Sequence, residues 1–166
     1  MLGGPSGCGK STVGRAAAQL ACAAFVEADD YHDEAARARM ARGSGLSDAE
    51  RMPWLDRVAG AVNACATEHV VLACSALNEA VRGRLRERLT RTPRFVMLDV
   101  PPGDLAARLA ARQDHVAGAS LLASQLASVE PGELTRLDGT LPPAALAAQV
   151  AGLLTAASTP GSPRTA

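Results

Sequence analysis

Apolar positions along this chain follow two rhythms that alternate from one end to the other. Short, nearly continuous apolar runs fall at 24–29, 69–74 and 94–100, with the length and character of strands buried on both faces. Between them, apolar residues return every third or fourth position, as in Val13, Ala16, Ala17 and Leu20, and in Val81, Leu85 and Leu89. That period predicts a first helix from about Lys10 and further helices over 33–42, 47–66, 79–89, 104–112, 120–129 and 142–157. Local punctuation agrees. Gly43-Ser44-Gly45 closes one helix, Ser47-Asp48-Ala49-Glu50 is a capping box that opens the next, and Pro53 falls in the early turns of that helix. A last strand is expected at 134–137. Strands alternating with helices predict a three-layer α/β domain with a parallel sheet over 1–157. The Pro/Ser/Thr-rich stretch 158–166 is expected to be a disordered tail.

Composition narrows the class. Apolar residues make up 48% of the chain and aromatics 2%, so helices pack through alanine and other small side chains. A formal charge of zero supplies no field for nucleic acid or an anionic membrane. No apolar stretch is long enough to span a bilayer, and no signal-peptide pattern opens the chain. Cys8, Cys22, Cys65 and Cys74 lack metal-ligand or CxxC spacing and read as reduced thiols of a cytoplasmic protein. Of the 17 basic residues, Lys10 alone is a lysine.

That lysine sits in the clearest motif. Gly4-Pro5-Ser6-Gly7-Cys8-Gly9-Lys10-Ser11-Thr12 fits a phosphate-binding loop: glycines let main-chain N–H groups converge on phosphate oxygens, and the following helix adds its positive end. Lys10 would reach the β- and γ-phosphates of a nucleoside triphosphate, and the Ser11 hydroxyl would hold Mg²⁺. A compact ammonium suits that position better than a planar guanidinium. Only Met1, Leu2 and Gly3 precede the loop, so either its strand is a stub or the true start of the chain lies upstream, and the second is the expectation, because a missing central strand would cost burial.

Ligands of such sheets gather beyond the carboxyl ends of the strands. Asp29-Asp30-Tyr31-His32 leaves the second strand there, and its acids could orient a hydroxyl, accept its proton, or hold Mg²⁺ through water. Arg108 and Arg112, with His115, precede a Gly-containing connection, where a mobile arginine could close over a triphosphate. Two solvated arginines one helical turn apart explain the same spacing equally well. Arg82 could anchor a carboxylate or sit exposed among Arg84, Arg86 and Arg88.

Taken together, these segments resemble the gluconokinase family of small P-loop kinases, over 4–131. The resemblance rests on ordered blocks: the P-loop, Asp29-Asp30-Tyr31-His32, and Met40 with Gly43, Leu46, Asp48, Arg51 and Pro53-Trp54-Leu55. Ala73-Cys74-Ser75-Ala76-Leu77 with Arg82 follows, then Arg112-x-x-His115 with Leu121-Leu122-x-Ser124-Gln125 and Glu130-Pro131. It implies a P-loop kinase fold with a small helical lid, ATP and Mg²⁺ as cofactors, and a sugar acid, gluconate, as acceptor. It implies that Asp29 is the catalytic acid/base, that Asp30, His32, Arg51 and Arg82 line the sugar-acid pocket, and that Arg112 is a lid arginine with His115 beside it. Relatives of this build are often dimers, so a homodimer is among the states it allows. The sequence departs from the family pattern at Asp33, Ala36, Gly45, Asn78, Val81, 116–118 and Leu126. A kinase for another small hydroxylated acceptor, and a nucleotide-binding protein without turnover, are the alternatives.

Overall fold

The computed structural model describes residues 1–42, 45–111 and 118–156. Its strands are β1 (Leu2–Gly3), β2 (Ala24–Glu27), β3 (Val70–Ala73), β4 (Val96–Asp99) and β5 (Thr135–Asp138). They form one parallel sheet in the order β2-β3-β1-β4-β5. The helices are α1 (Lys10–Leu20), α2 (Glu34–Ala41), α3 (Asp48–Asn63), α4 (Glu79–Arg88), α5 (Pro102–Ala110), α6 (Gly118–Ala127) and α7 (Pro143–Thr155). The expected alternation of strand and helix is therefore met. The Gly43-Ser44 break, Arg112, His115 and the tail over 158–166 lie outside the described residues.

As the sequence predicts, β1 is short, yet it holds the centre of the sheet. Leu2 pairs with Ala73 of β3 on one side and Val96 of β4 on the other. Its neighbours extend the ladder: Val96 N–H donates to the Met1 carbonyl at 2.9 Å, and Gly4 N–H donates to the Ser75 carbonyl at 3.1 Å. The P-loop thus starts from a backbone tied to β3.

Each face of the sheet carries its own core. On one side Leu2, Val13, Ala17, Leu98, Leu105, Leu109, Leu146 and Val150 pack together, contributed by α1, α5 and α7. On the other Val26, Trp54, Leu55, Val58, Leu72, Val81 and Leu85 do so, contributed by α3 and α4. Alanine content explains the close approach of α1 and α7, where Ala17 and Ala147 are fully buried. Caps set the helix starts: Asp33 accepts from Ala36 N–H, Ser47 and Glu50 form the capping box, and Asn78 accepts from Val81 N–H. Cys8, Cys22, Cys65 and Cys74 are free thiols. Among the described residues no helix is long and apolar enough to cross a membrane.

Helix α1 lies against β2 through Gly14. A Cβ there would stand 2.8 Å from the Phe25 ring and 3.4 Å from Val71. The Arg15 guanidinium covers the Phe25 ring at 4.5 Å from its centroid. Gly14→Ala is expected to cost about 1–3 kcal/mol through overpacking. Chemical denaturation checks this, and an unchanged midpoint would show that the ring yields freely.

Candidate active site at the carboxyl edge of the sheet

Helix starts normally satisfy their first N–H groups with a side-chain cap and favour acids in the first turn. Helix α1 does neither. Its N-cap is Gly9, in the left-handed region at φ 101°, with no side-chain cap and no acid in the first turn. By contrast, α2, α3, α4 and α5 each carry an acid in that turn, whereas α6 and α7 also lack one. What sets α1 apart is the glycine loop before it and Lys10 in its first turn, which leave its uncapped donors and uncancelled positive end facing the loop. Gly4, at φ 139°, allows the loop to close on itself, because a Cβ there would meet Cys8 Sγ at 2.6 Å. Lys10 Nζ donates to the Gly4 carbonyl at 2.9 Å and the Pro5 carbonyl at 3.1 Å. The single lysine is thus held across the loop mouth, and Ser11 and Thr12 are exposed beside it.

Strand β2 delivers the acids. The Ser11 hydroxyl stands beside the half-buried Glu27 and favours its charged form. Burial raises its pKa above the ordinary 4.5, against the opposing pull of Ser11 and Lys10. Sequence reading missed Glu27. The available signal was a lone acid inside an otherwise apolar buried run.

After β2 the chain makes a tight 3-10 turn, Ala28–Tyr31, which leaves the Asp29 side chain 75% exposed and Asp30 exposed. That turn is pinned from below, where Trp54 Nε1–H donates to the Ala28 carbonyl at 2.8 Å. The Trp54 ring stacks on His32 with centroids 4.3 Å apart and planes 11° from parallel. His32 Nε2 lies 3.8 Å from Asp29 Oδ1, while its Nδ1 is buried with no hydrogen-bond partner. Burial lowers the His32 pKa, with Asp29 opposing, so the imidazole is kept neutral. Cys74, at the end of β3, has its thiol pushed up to about 12 by burial and is chemically inert there.

Two arginines complete the expected set. Arg51 Nη1 donates to Asp48 Oδ1 at 3.0 Å, and Asn78 Nδ2 donates to the same oxygen at 3.4 Å. Arg51 is one-third exposed and remains able to meet a ligand. Arg82 is fully buried. Its Nη1 donates to the Ala76 and Leu77 carbonyls at 3.2 and 2.9 Å, its Nη2 to the Glu130 and Pro131 carbonyls at 3.4 and 2.9 Å, and its Nε to Glu79 at 3.1 Å.

A loop with an uncapped helix start, a lysine across its mouth and an acid on its serine is a P-loop kinase arrangement. A family model described as shikimate kinase matches residues 6–129. A gluconokinase from Gluconobacter oxydans is 41% identical over 135 residues, covering 78% of this chain and 74% of that protein. One from Arabidopsis thaliana is 33% identical, covering 81% and 78%. The chain belongs to the gluconokinase family. A gluconokinase structure from Sinorhizobium meliloti 1021 superposes with a TM-score of 0.78 at 32% identity, covering 95% of both chains. A shikimate kinase from Aquifex aeolicus, at 17% identity and a TM-score of 0.58, shares the fold alone.

Within the gluconokinase pattern, two residues take parts that their spacing does not suggest. Arg82 was expected in the pocket, or exposed among its neighbours, and is neither. Its donors are consumed by main-chain carbonyls, so it ties the turn after β3 to the segment after α6. The lone tryptophan of the Pro53-Trp54-Leu55 block serves the acid turn from beneath. Asn78, where the pattern has lysine, caps α4.

Two outcomes follow from these contacts. Arg82→Met leaves several buried carbonyls without donors and should cost roughly 3 kcal/mol or more, read by denaturation. A selective loss of affinity for a carboxylate ligand, with unchanged melting, would restore Arg82 to the pocket. Because the Glu27 pKa is raised on folding, its contribution to stability is present below pH 4.5 and lost as pH rises through the raised value. Glu27→Gln should therefore melt higher than the parent protein near neutral pH, and the difference should vanish towards about pH 4. Equal melting at every pH would contradict the burial argument.

Proposed function

We propose that the protein transfers the γ-phosphoryl group of ATP to gluconate, giving 6-phosphogluconate and ADP, in the cytoplasm. The observation that carries the kinase reading is the uncapped, acid-free start of α1 with Lys10 across the loop mouth and the acids of β2 beside it. The acceptor is inferred from the gluconokinase relatives.

In this reading the main-chain N–H groups of the loop 4–12 bind the phosphates. Lys10 exchanges its two carbonyl acceptors for phosphate oxygens, which is favourable because both partners are then charged. The residues fit Mg²⁺: the Ser11 hydroxyl and the Glu27 carboxylate are hard oxygen donors side by side. When bound, Mg²⁺ would neutralise charge on the β- and γ-phosphates. A cation there would also favour ionised Glu27, reversing the bias set by burial.

Asp29 stands exposed on a pinned turn beside the loop, placed to orient the acceptor hydroxyl and take its proton. Neutral His32, held flat on Trp54, positions Asp29 and presents a polar edge to the sugar acid. Asp30 and Arg51 would join them in the pocket, with Arg51 suited to the carboxylate. Arg112 and His115 would act from the segment after α5.

Coupled ADP release over a panel of sugar acids tests the acceptor. Turnover on gluconate above related acids is expected, whereas turnover only on another acceptor would overturn the choice. Asp29→Asn should lower kcat by roughly 10²–10⁴-fold while leaving ATP binding intact. Normal turnover in that variant would remove Asp29 from the chemistry.

A further inference from the structure

One contact to the phosphate loop comes from a residue not yet given a part. Ser6 N–H, inside the loop, donates to Gln125 Oε1 at 2.7 Å across 119 residues of sequence. Gln125 lies on α6, whose Leu122 is buried in the same core as Cys8 and Leu109. The far side of the loop leans on α5, since a Cβ at Gly7 would stand 3.1 Å from Leu109.

The end of α6 is fixed as well. Glu130 N–H donates to the Leu77 carbonyl at 2.9 Å, Glu79 N–H donates to Glu130 Oε2 at 2.7 Å, and Arg82 grips the Pro131 carbonyl at 2.9 Å. All these partners belong to the turn after β3 and the start of α4. Helix α6 is therefore held at one point by the phosphate loop and at its exit by the turn that follows Ser75.

We infer that Gln125 is a positioning residue for the triphosphate. Its side-chain carbonyl fixes the Ser6 peptide, so the loop N–H groups that follow are already turned towards the phosphates when ATP arrives. The contact suits that part, because at 2.7 Å the Ser6 N–H must point almost directly at Gln125 Oε1, which fixes the orientation of that peptide. A pre-formed loop spares ATP the ordering cost of shaping it.

This inference rests on the proposed ATP site, and its test separates the two. ATP affinity is measured by calorimetry, without acceptor, on the parent protein, Gln125→Met and Gln125→Ala. Methionine keeps the length and bulk of the side chain but offers no comparable acceptor. Both variants should bind ATP roughly five- to tenfold more weakly, the worth of one hydrogen bond. Melting without nucleotide and the KM for gluconate should stay close to the parent values. Hydrogen exchange at the Ser6 amide, read by NMR, should speed up in both variants. Parent-like ATP affinity in Gln125→Met would overturn the inference and leave the ATP site standing. So would a joint loss of melting temperature, gluconate affinity and ATP affinity, which marks a merely structural contact. Failure of the parent protein to bind ATP would overturn both.

Discussion

A helix begins with N–H groups that have no partner inside the helix, and the site here depends on leaving those of α1 unsatisfied by protein. Helices α2, α3, α4 and α5 are closed by a side chain or given an acid. At α1 a left-handed Gly9 takes the cap position, and the first turn holds Lys10, Ser11 and Thr12 in place of carboxylates. The cost to helix stability is accepted where an anion can supply the missing partner. Other features of the edge serve the same end. Glu27 stands beside Ser11, and burial holds back its charge. Lys10 remains beside the loop carbonyls, ready to exchange them.

The scaffold places that helix start from the centre of the sheet, where the backbone from Met1 to Gly4 is bonded to β3 and β4. Side chains far away in sequence finish the work: Trp54 pins the acid turn, Gln125 holds the loop, and Arg82 fastens the exit of α6 to the turn after β3.

Much of this could be read from the residues. Period and punctuation placed the helices and strands, because buried parallel strands read as short apolar runs and a capping box such as that at Ser47 acts locally. The phosphate loop was equally clear, since its chemistry is contained in consecutive residues. What escaped were contacts whose partners are main-chain atoms distant in sequence. Arg82 looks like any arginine on a basic helix until the carbonyls of Ala76, Leu77 and Pro131 converge on it. Trp54 is visible in the sequence only as part of the Pro53-Trp54-Leu55 block, with nothing to show that its N–H reaches Ala28. Glu27 was hidden for another reason: within an apolar run it resembles the polar end of a strand, and only the fold brings Ser11 against it.

The central claim is that the start of α1 is kept free of acid for the sake of phosphate. Thr12, exposed in that first turn, offers a direct measurement. In Thr12→Glu the new carboxylate should interact favourably with the helix dipole, stabilise the protein by about 0.3–1 kcal/mol, and so hold or raise the melting temperature. ATP affinity, measured by calorimetry on the same protein, should fall by at least roughly tenfold through like-charge repulsion. ATP binding that survives Thr12→Glu unchanged would contradict the account.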